Sequence, residues 1–279
     1  MQKILVALDS TKINMTTLEF ACYLGRIARS KITGLLLENL ESDKKPVLRT
    51  MYQTTYLDWQ PDVKSPAYQE KMKDIENNIA RFKEACTNRG VNCDVYRDSG
   101  VPSAELIAES RFADLLVIDP DTEYGETSKE HHMEFVRDIL KLSECPVIIA
   151  PETFDELEEL IFCYDGSRSS FYAIKQFEYL LPEFSNKKVT LLEVNKPGDE
   201  SVPYQDRVRA WFRHHYVNLQ PEILYGDARD QIFSHLLLKK KAMIVMGAYG
   251  RGALSRLFKE STADKLLKTT NLPLFITHP

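Results

Sequence analysis

Long apolar runs are missing from this 279-residue sequence. No stretch approaches the roughly 20 residues that cross a bilayer, which excludes a helical membrane protein and argues against a membrane partner. Cysteine is sparse and scattered: Cys22, Cys86, Cys93, Cys145 and Cys163 are odd in number and contain no Cys-x-x-Cys pair. That excludes a disulfide frame and a thiolate zinc site, and reduced thiols are the expectation. Glycine (11) and proline (13) are too few for a low-complexity chain. An excess of basic charge is also absent, since 36 Lys and Arg face 41 Asp and Glu for a net charge of −5. Nucleic acid is therefore not expected as a partner. The opening MQKILVALDS has one Lys and a short apolar run ending at Asp9, unlike a secretory leader, so a cytoplasmic location is expected.

What is present is a folded chain with 43% hydrophobic residues, long enough for one large domain or two ordinary ones. An internal repeat decides between these. Ile4–Ser10 resembles Leu160–Ser167, each a short apolar run ending in Asp and a small turn residue. Asp114–Asp119 matches Ala242–Gly247, and Leu140–Ile149 matches Leu267–Ile276. The offset falls from 156 to 127, so the first copy carries about 29 extra residues, mostly between Glu38 and Tyr68. The expected domains are 1–150 and 151–279, joined by the acidic, Pro-started segment Pro151–Glu159. The role of the 38–68 insertion is open between a packing flap and a ligand-facing one.

Within each copy, strand and helix patterns alternate. Ile4–Leu8, Ile32–Leu37, Cys93–Arg97, Leu115–Ile118 and Val147–Ile149 are nearly continuous apolar runs, as strands covered on both faces must be. Met72, Ile75, Ile79, Phe82 and Cys86 follow helical spacing. The second copy repeats the scheme with Phe171, Ile174, Phe177 and Leu181, then strands at Val189–Val194 and Glu222–Tyr225. Strands alternating with helices predict an α/β fold of two doubly wound parallel-sheet domains, each with about five strands.

Ligands of such sheets bind beyond the carboxyl ends of the strands. In the second copy that edge carries Asp165-Gly166-Ser167 and Gly247-Ala248-Tyr249-Gly250-Arg251-Gly252. Glycines there expose N–H groups to a phosphate, although a tight strand-to-helix turn without a ligand would use them as well. In the first copy the equivalent turn carries Asp119, Asp121, Glu123 and Glu126, whose carboxylates would repel phosphate. His131-His132 and His214-His215 are adjacent on helices and point about 100° apart, which disfavours a shared metal. Lys239-Lys240-Lys241 is expected to be the solvated end of a helix, and Trp211-Phe212 with Val208 a helix core stripe.

The segment Gly247-Ala248-Tyr249-Gly250, followed by nine residues and then Glu260-Ser261-Thr262, resembles the G-x2-G-x9-G-[ST] nucleotide signature of the universal stress protein family. The Asp-ended first strands, the Gly226-Asp227 and Ser99-Gly100 turns and the closing helix–Pro–strand agree with that family in both copies. The resemblance implies flavodoxin-like domains in tandem and a stress-response regulatory or binding protein without catalytic turnover. It places ATP or AMP in the second domain only, with Asp165 near the adenine or ribose and Val194 and Met246 near the base. Gly247 and Gly250 would then face the ribose and phosphates, with Ser261 and Thr262 at the phosphates. No metal is implied beyond Mg2+ carried by the nucleotide. Glu260 departs from the signature where its third glycine belongs.

The family commonly dimerises through its last strands, so Val147–Ile149 and Leu274–Ile276 are expected to pair the two copies as an intramolecular pseudo-dimer. A homodimer and an unidentified protein partner remain open. The rival readings are a nucleotide-free protein-interaction scaffold and an ATP-hydrolysing or adenylating enzyme. The latter draws on a faint likeness of Asp165–Ser170 to the phosphate loop of ATP-pyrophosphatases, but lacks an evident general base or metal-binding carboxylate pair.

Overall fold

The computed structural model describes residues 1–10, 12–38, 44–51, 54–98, 101–119, 129–195, 202–248 and 271–279. The first half of the chain runs β1 (Lys3–Asp9), α1 (Met15–Ile27), β2 (Lys31–Leu37), β3 (Lys44–Met51), β4 (Thr54–Pro61), α2 (Pro66–Asn88), β5 (Cys93–Asp98), α3 (Pro102–Ser110), β6 (Leu115–Ile118), α4 (Lys129–Leu142) and β7 (Val147–Ile149). The second runs β8 (Glu159–Tyr164), α5 (Arg168–Leu180), β9 (Lys188–Asn195), α6 (Gln205–His215), β10 (Asn218–Tyr225), α7 (Ala228–Leu236), β11 (Ala242–Gly247) and β12 (Leu274–Thr277).

Ten strands form one sheet in the order β10-β9-β8-β11-β12-β7-β6-β1-β2-β5. Each half is parallel and has the same order, its first strand central and the fourth and fifth beyond it. The halves meet where β7 and β12 pair antiparallel, Leu274 opposite Ile149, Phe275 opposite Ile148 and Ile276 opposite Val147. Two equivalent strands paired antiparallel are related by a local twofold, so their short apolar runs cover each other's edge.

The sheet is covered on both faces, which explains strands with almost no polar alternation. One apolar cluster includes Val6, Phe20, Ile75, Phe82, Phe162, Phe177 and Phe275, and the other includes Leu5, Ile118, Ile149, Ile161, Met246 and Ile276. Each cluster draws on both halves. Val208 and Phe212 are buried as the stripe predicts, with Trp211 edge-on to Phe171. β10 begins four residues earlier than its apolar run suggests and includes Pro221, which an edge strand tolerates.

The insertion is more ordered than its sequence suggests. β3 and β4 form a separate antiparallel hairpin, Leu48 opposite Leu57, and both of these side chains are exposed. The acidic segment before β8 is not a loose linker. Phe154 packs against Phe20 and Tyr23 with ring centroids 5.0 and 4.9 Å apart, and Leu157 is buried. Glu159 is the first residue of β8, where it accepts from Thr190 Oγ1 (2.6 Å) and pairs with Lys239 (3.0 Å) and Lys188 (3.1 Å). Lys239 and Lys241 are therefore not simply solvated. They hold this junction, Lys241 through Glu158 at 2.9 Å. A carboxylate drawn into a strand end needs such cations, and the lysine run supplies them.

Candidate functional site

The parallel register brings the carboxyl ends of β9, β8 and β11 side by side, with Tyr164 opposite Glu193. Asp165, Val194, Met246 and Gly247 therefore share one edge of three adjacent strands. Gly250, Ser261 and Thr262 lie outside the described residues, as do Arg251, Arg256, Lys259 and Glu260.

At the end of β8 the half-exposed Asp165 accepts a hydrogen bond from the Ser167 amide at 3.0 Å, which tightens the turn into α5. Gly166 sits at φ +77°, and a Cβ there would lie 2.5 Å from Pro203 Cδ, so the position favours glycine twice over. Ser167 caps α5 by accepting from the Ser170 amide at 3.1 Å. Asp227 caps α7 in the same way, accepting from the Arg229 amide at 2.9 Å after the Gly226 turn.

Gly247 has a packing reason to be glycine. An added Cβ would lie 2.5 Å from the carbonyl carbon and oxygen of Ser169, and Ser169 Oγ donates to the Ala248 carbonyl at 2.6 Å. The end of β11 is thus seated directly on the first turn of α5. Met246 is fully buried, and Val194 is half-buried against the same cluster.

A polar group beside this edge escaped the sequence reading. Glu193 is enclosed on β9, where it accepts from Gln205 Nε2 and, at 3.4 Å, from an Arg209 guanidinium nitrogen. Burial raises its carboxyl above the ordinary glutamate value, and the Gln205 and Arg209 contacts only partly offset that. Tyr164 Oη donates to the Pro203 carbonyl at 2.7 Å, and burial, then Glu193 and Asp165, push its phenol up to about 12. Asn195, the last residue of β9, is buried, and neither of its amide atoms has a hydrogen-bond partner among the described residues. The available signal was a lone Glu inside the apolar run Val189–Val194.

At the topologically equivalent edge of the first half, the described polar side chains engage one another or the backbone. Asp119 takes the position of Gly247 and is buried, accepting from Asn14 Nδ2 at 2.8 Å. Asn14 also caps α1, accepting from the Thr16 amide at 3.0 Å. Glu38, at the end of β2, is buried and paired with Arg97, and Asn78 Nδ2 donates to the Ser10 carbonyl at 3.0 Å. Asp121, Glu123 and Glu126 lie outside the described residues.

The two histidines of the second pair have different surroundings. His215 stacks on Trp211 at 3.9 Å and faces Glu178 at 3.3 Å, while His214 is exposed. The side chains of His131 and His132 are outside the described set. Among the described residues no helix is long and apolar enough to cross a membrane.

The topology defines a tandem of two doubly wound α/β units, each with its strands in the order 3-2-1-4-5. No family model matches the chain. A curated universal stress protein from Synechocystis is 23% identical over 164 residues, 58% of this chain and 56% of that protein. The chain thus matches just over half the length of this relative. The crystal structure of a universal stress protein from Archaeoglobus fulgidus superposes with a TM-score of 0.70 at 15% identity, over 99% of this chain and 96% of its own. A protein of unknown function from Pseudomonas aeruginosa gives 0.57 at 12% identity, over 100% and 92%. The chain is similar in sequence to a universal stress protein and shares the fold of another.

Proposed function

We propose that the chain is a stress-response regulatory protein of the cytoplasm, with domains 1–150 and 151–279, whose second domain binds ATP or AMP without turning it over. The observation that carries this reading is the asymmetry between two equivalent strand ends. At Gly247 the backbone meets a capped helix start. The neighbouring strands add a half-exposed carboxylate (Asp165) and an amide (Asn195) without a partner among the described residues. At Asp119 the same place holds a buried carboxylate engaged with Asn14. A phosphate is favoured by helix N–H groups and disfavoured by carboxylates, so the second edge suits a nucleotide and the first does not.

The described residues fit an adenosine. The Asp165 carboxylate can accept from ribose hydroxyls or the base amine, and Val194 offers an apolar contact. Gly250, Ser261 and Thr262 are assigned to the phosphates on the signature alone, with Mg2+ entering only as the counter-ion of the nucleotide. The antiparallel β7–β12 pairing serves as the interface of an intramolecular pseudo-dimer.

Glu260, in place of the third signature glycine, favours a second reading, a nucleotide-free scaffold for an unidentified protein partner. Native mass spectrometry of the purified chain, followed by ATP titration of wild type, Gly250→Ala and Glu260→Gly, separates the two. Binding by wild type that Gly250→Ala weakens supports the nucleotide reading. Binding seen only in Glu260→Gly supports the scaffold, and release of ADP would revive an enzyme.

A further inference from the structure

The cysteines are scattered in sequence, but the fold gathers three of them. Cys22 on α1 and Cys86 on α2 are both buried, with their Sγ atoms in hydrogen-bond contact at 3.9 Å. Cys93, the first residue of β5, also neighbours Cys86. The remaining two stand apart in character: burial pushes the thiols of Cys145 and Cys163 up to about 12, as expected of inert core cysteines.

Cys22 is buried, yet it borders a cavity of about 260 Å3 whose other walls are Glu19, Tyr23, Arg26, Arg89 and Phe154. Arg26 and Arg89 are both in its lining, with the Arg89 guanidinium paired to Glu19. A cavity of this size admits a water-sized oxidant several times over. The hydrogen bond with Cys86 lowers the Cys22 thiol below its ordinary value and Arg89 adds to this, against the opposing effects of burial and of Glu19. The same contact, with burial, pushes Cys86 up. Cys22 borders the cavity and Cys86 lies in contact with it from the protein side, the placement of an attacking and a resolving cysteine.

We propose that Cys22 and Cys86 form a peroxide-responsive dithiol, in which Cys22 meets a small hydroperoxide in this cavity and Cys86 closes the disulfide. In the first step the Cys22 thiolate attacks one peroxide oxygen. An S–O bond forms, the O–O bond breaks, and the departing oxygen leaves as an alcohol or water after taking up a proton. In the second step the Cys86 sulfur attacks the Cys22 sulfenic acid. The S–S bond forms, the S–O bond breaks, and hydroxide leaves as water with the proton of Cys86. Overall, two thiols lose two electrons to one hydroperoxide. The sulfurs must close from 3.9 Å to about 2.05 Å, drawing α1 towards α2. Both helices touch the carboxyl edge of the first half, α1 through its Asn14 cap and α2 through Asn78. Tyr23, next to Cys22, carries the Phe154 contact of the inter-domain segment.

The test is treatment of the full-length reduced chain with one equivalent of hydrogen peroxide, followed by intact and peptide mass spectrometry without reductant. The expected result is a mass lower by two hydrogen atoms, a peptide pair joined through Cys22 and Cys86, and reversal by dithiothreitol. Cys86→Ser should accumulate a dimedone adduct on Cys22, whereas Cys22→Ser should leave Cys86 unlabelled. Arg89→Gln should slow the reaction of Cys22. A Cys86–Cys93 bridge, an unchanged set of thiols, or oxidation of Cys22 no faster than that of Cys145 and Cys163 would overturn the proposal. The wild-type peptide map gives that answer even if a serine variant does not fold.

Discussion

Asn14 Nδ2 donates to Asp119 Oδ2 over 2.8 Å, tying the cap of α1 to the end of β6. In the second half the equivalent strand end is Gly247, which rests on the backbone of Ser169 at the start of α5. The same joint between fourth strand and first helix is thus made by a side-chain pair in one half and by backbone contact in the other. Only the second arrangement leaves the strand end without a carboxylate.

The Asn14–Asp119 joint is expected to be coupled. Asp119→Ala leaves a partly buried amide without its acceptor and should cost about 1–3 kcal/mol. Asn14→Ala removes the cap of α1 together with the same bond, about 0.5–2 kcal/mol. A double-mutant cycle by urea denaturation should give an interaction of at least about 0.5 kcal/mol. Simple additivity would mean that the two side chains do not act together.

Gly247→Ala should destabilise the chain by overpacking, about 1–3 kcal/mol, because the new methyl group meets the Ser169 carbonyl rather than a flexible side chain. Thermal unfolding should fall by several degrees, at about 2–4 °C per kcal/mol for a chain of this size. An unchanged melting temperature would show that β11 does not press on α5.

Two buried glutamates should respond to pH in opposite directions. Burial raises Glu193, so its folded-state value lies above the unfolded one. Its contribution to stability is present below the ordinary glutamate range and is lost as pH rises through the folded value. Glu193→Gln should therefore gain on wild type as pH rises from acid towards neutrality. Burial also acts to raise Glu159, but Thr190, Lys239 and Lys188 overcome it and hold the group below its ordinary value. Its contribution is present above the ordinary range and is lost as pH falls through the folded value. Glu159→Gln should accordingly lose most at neutral pH and approach wild type in acid. Denaturation midpoints across a pH series read both, and parallel curves for the two variants would contradict the assignment.

The repeat and the near-continuous apolar runs made the strands legible, because a parallel strand buried on both faces leaves a short unbroken signature. The run Leu115–Ile118 is apolar from end to end and can be recognised without knowing which strands lie beside it. The hairpin of β3 and β4 gave no comparable signal, since its apolar Leu48 and Leu57 face solvent. Charge was the harder quantity to read. Glu159, Lys239 and Lys241 look solvated in sequence and become a junction only when β8 lies beside β9 and β11. Asp165, Val194, Met246 and Gly247 were found from motif spacing, whereas the role of Glu193 depends on Gln205 and Arg209, which α6 brings to it.

The count of nucleotides bound per chain tests the central claim most directly. Isothermal titration of the purified chain with ATP should give one site, unchanged in stoichiometry by Asp119→Ala and weakened by Gly250→Ala. Two sites per chain, or no heat and no bound nucleotide at millimolar ATP, would contradict the account.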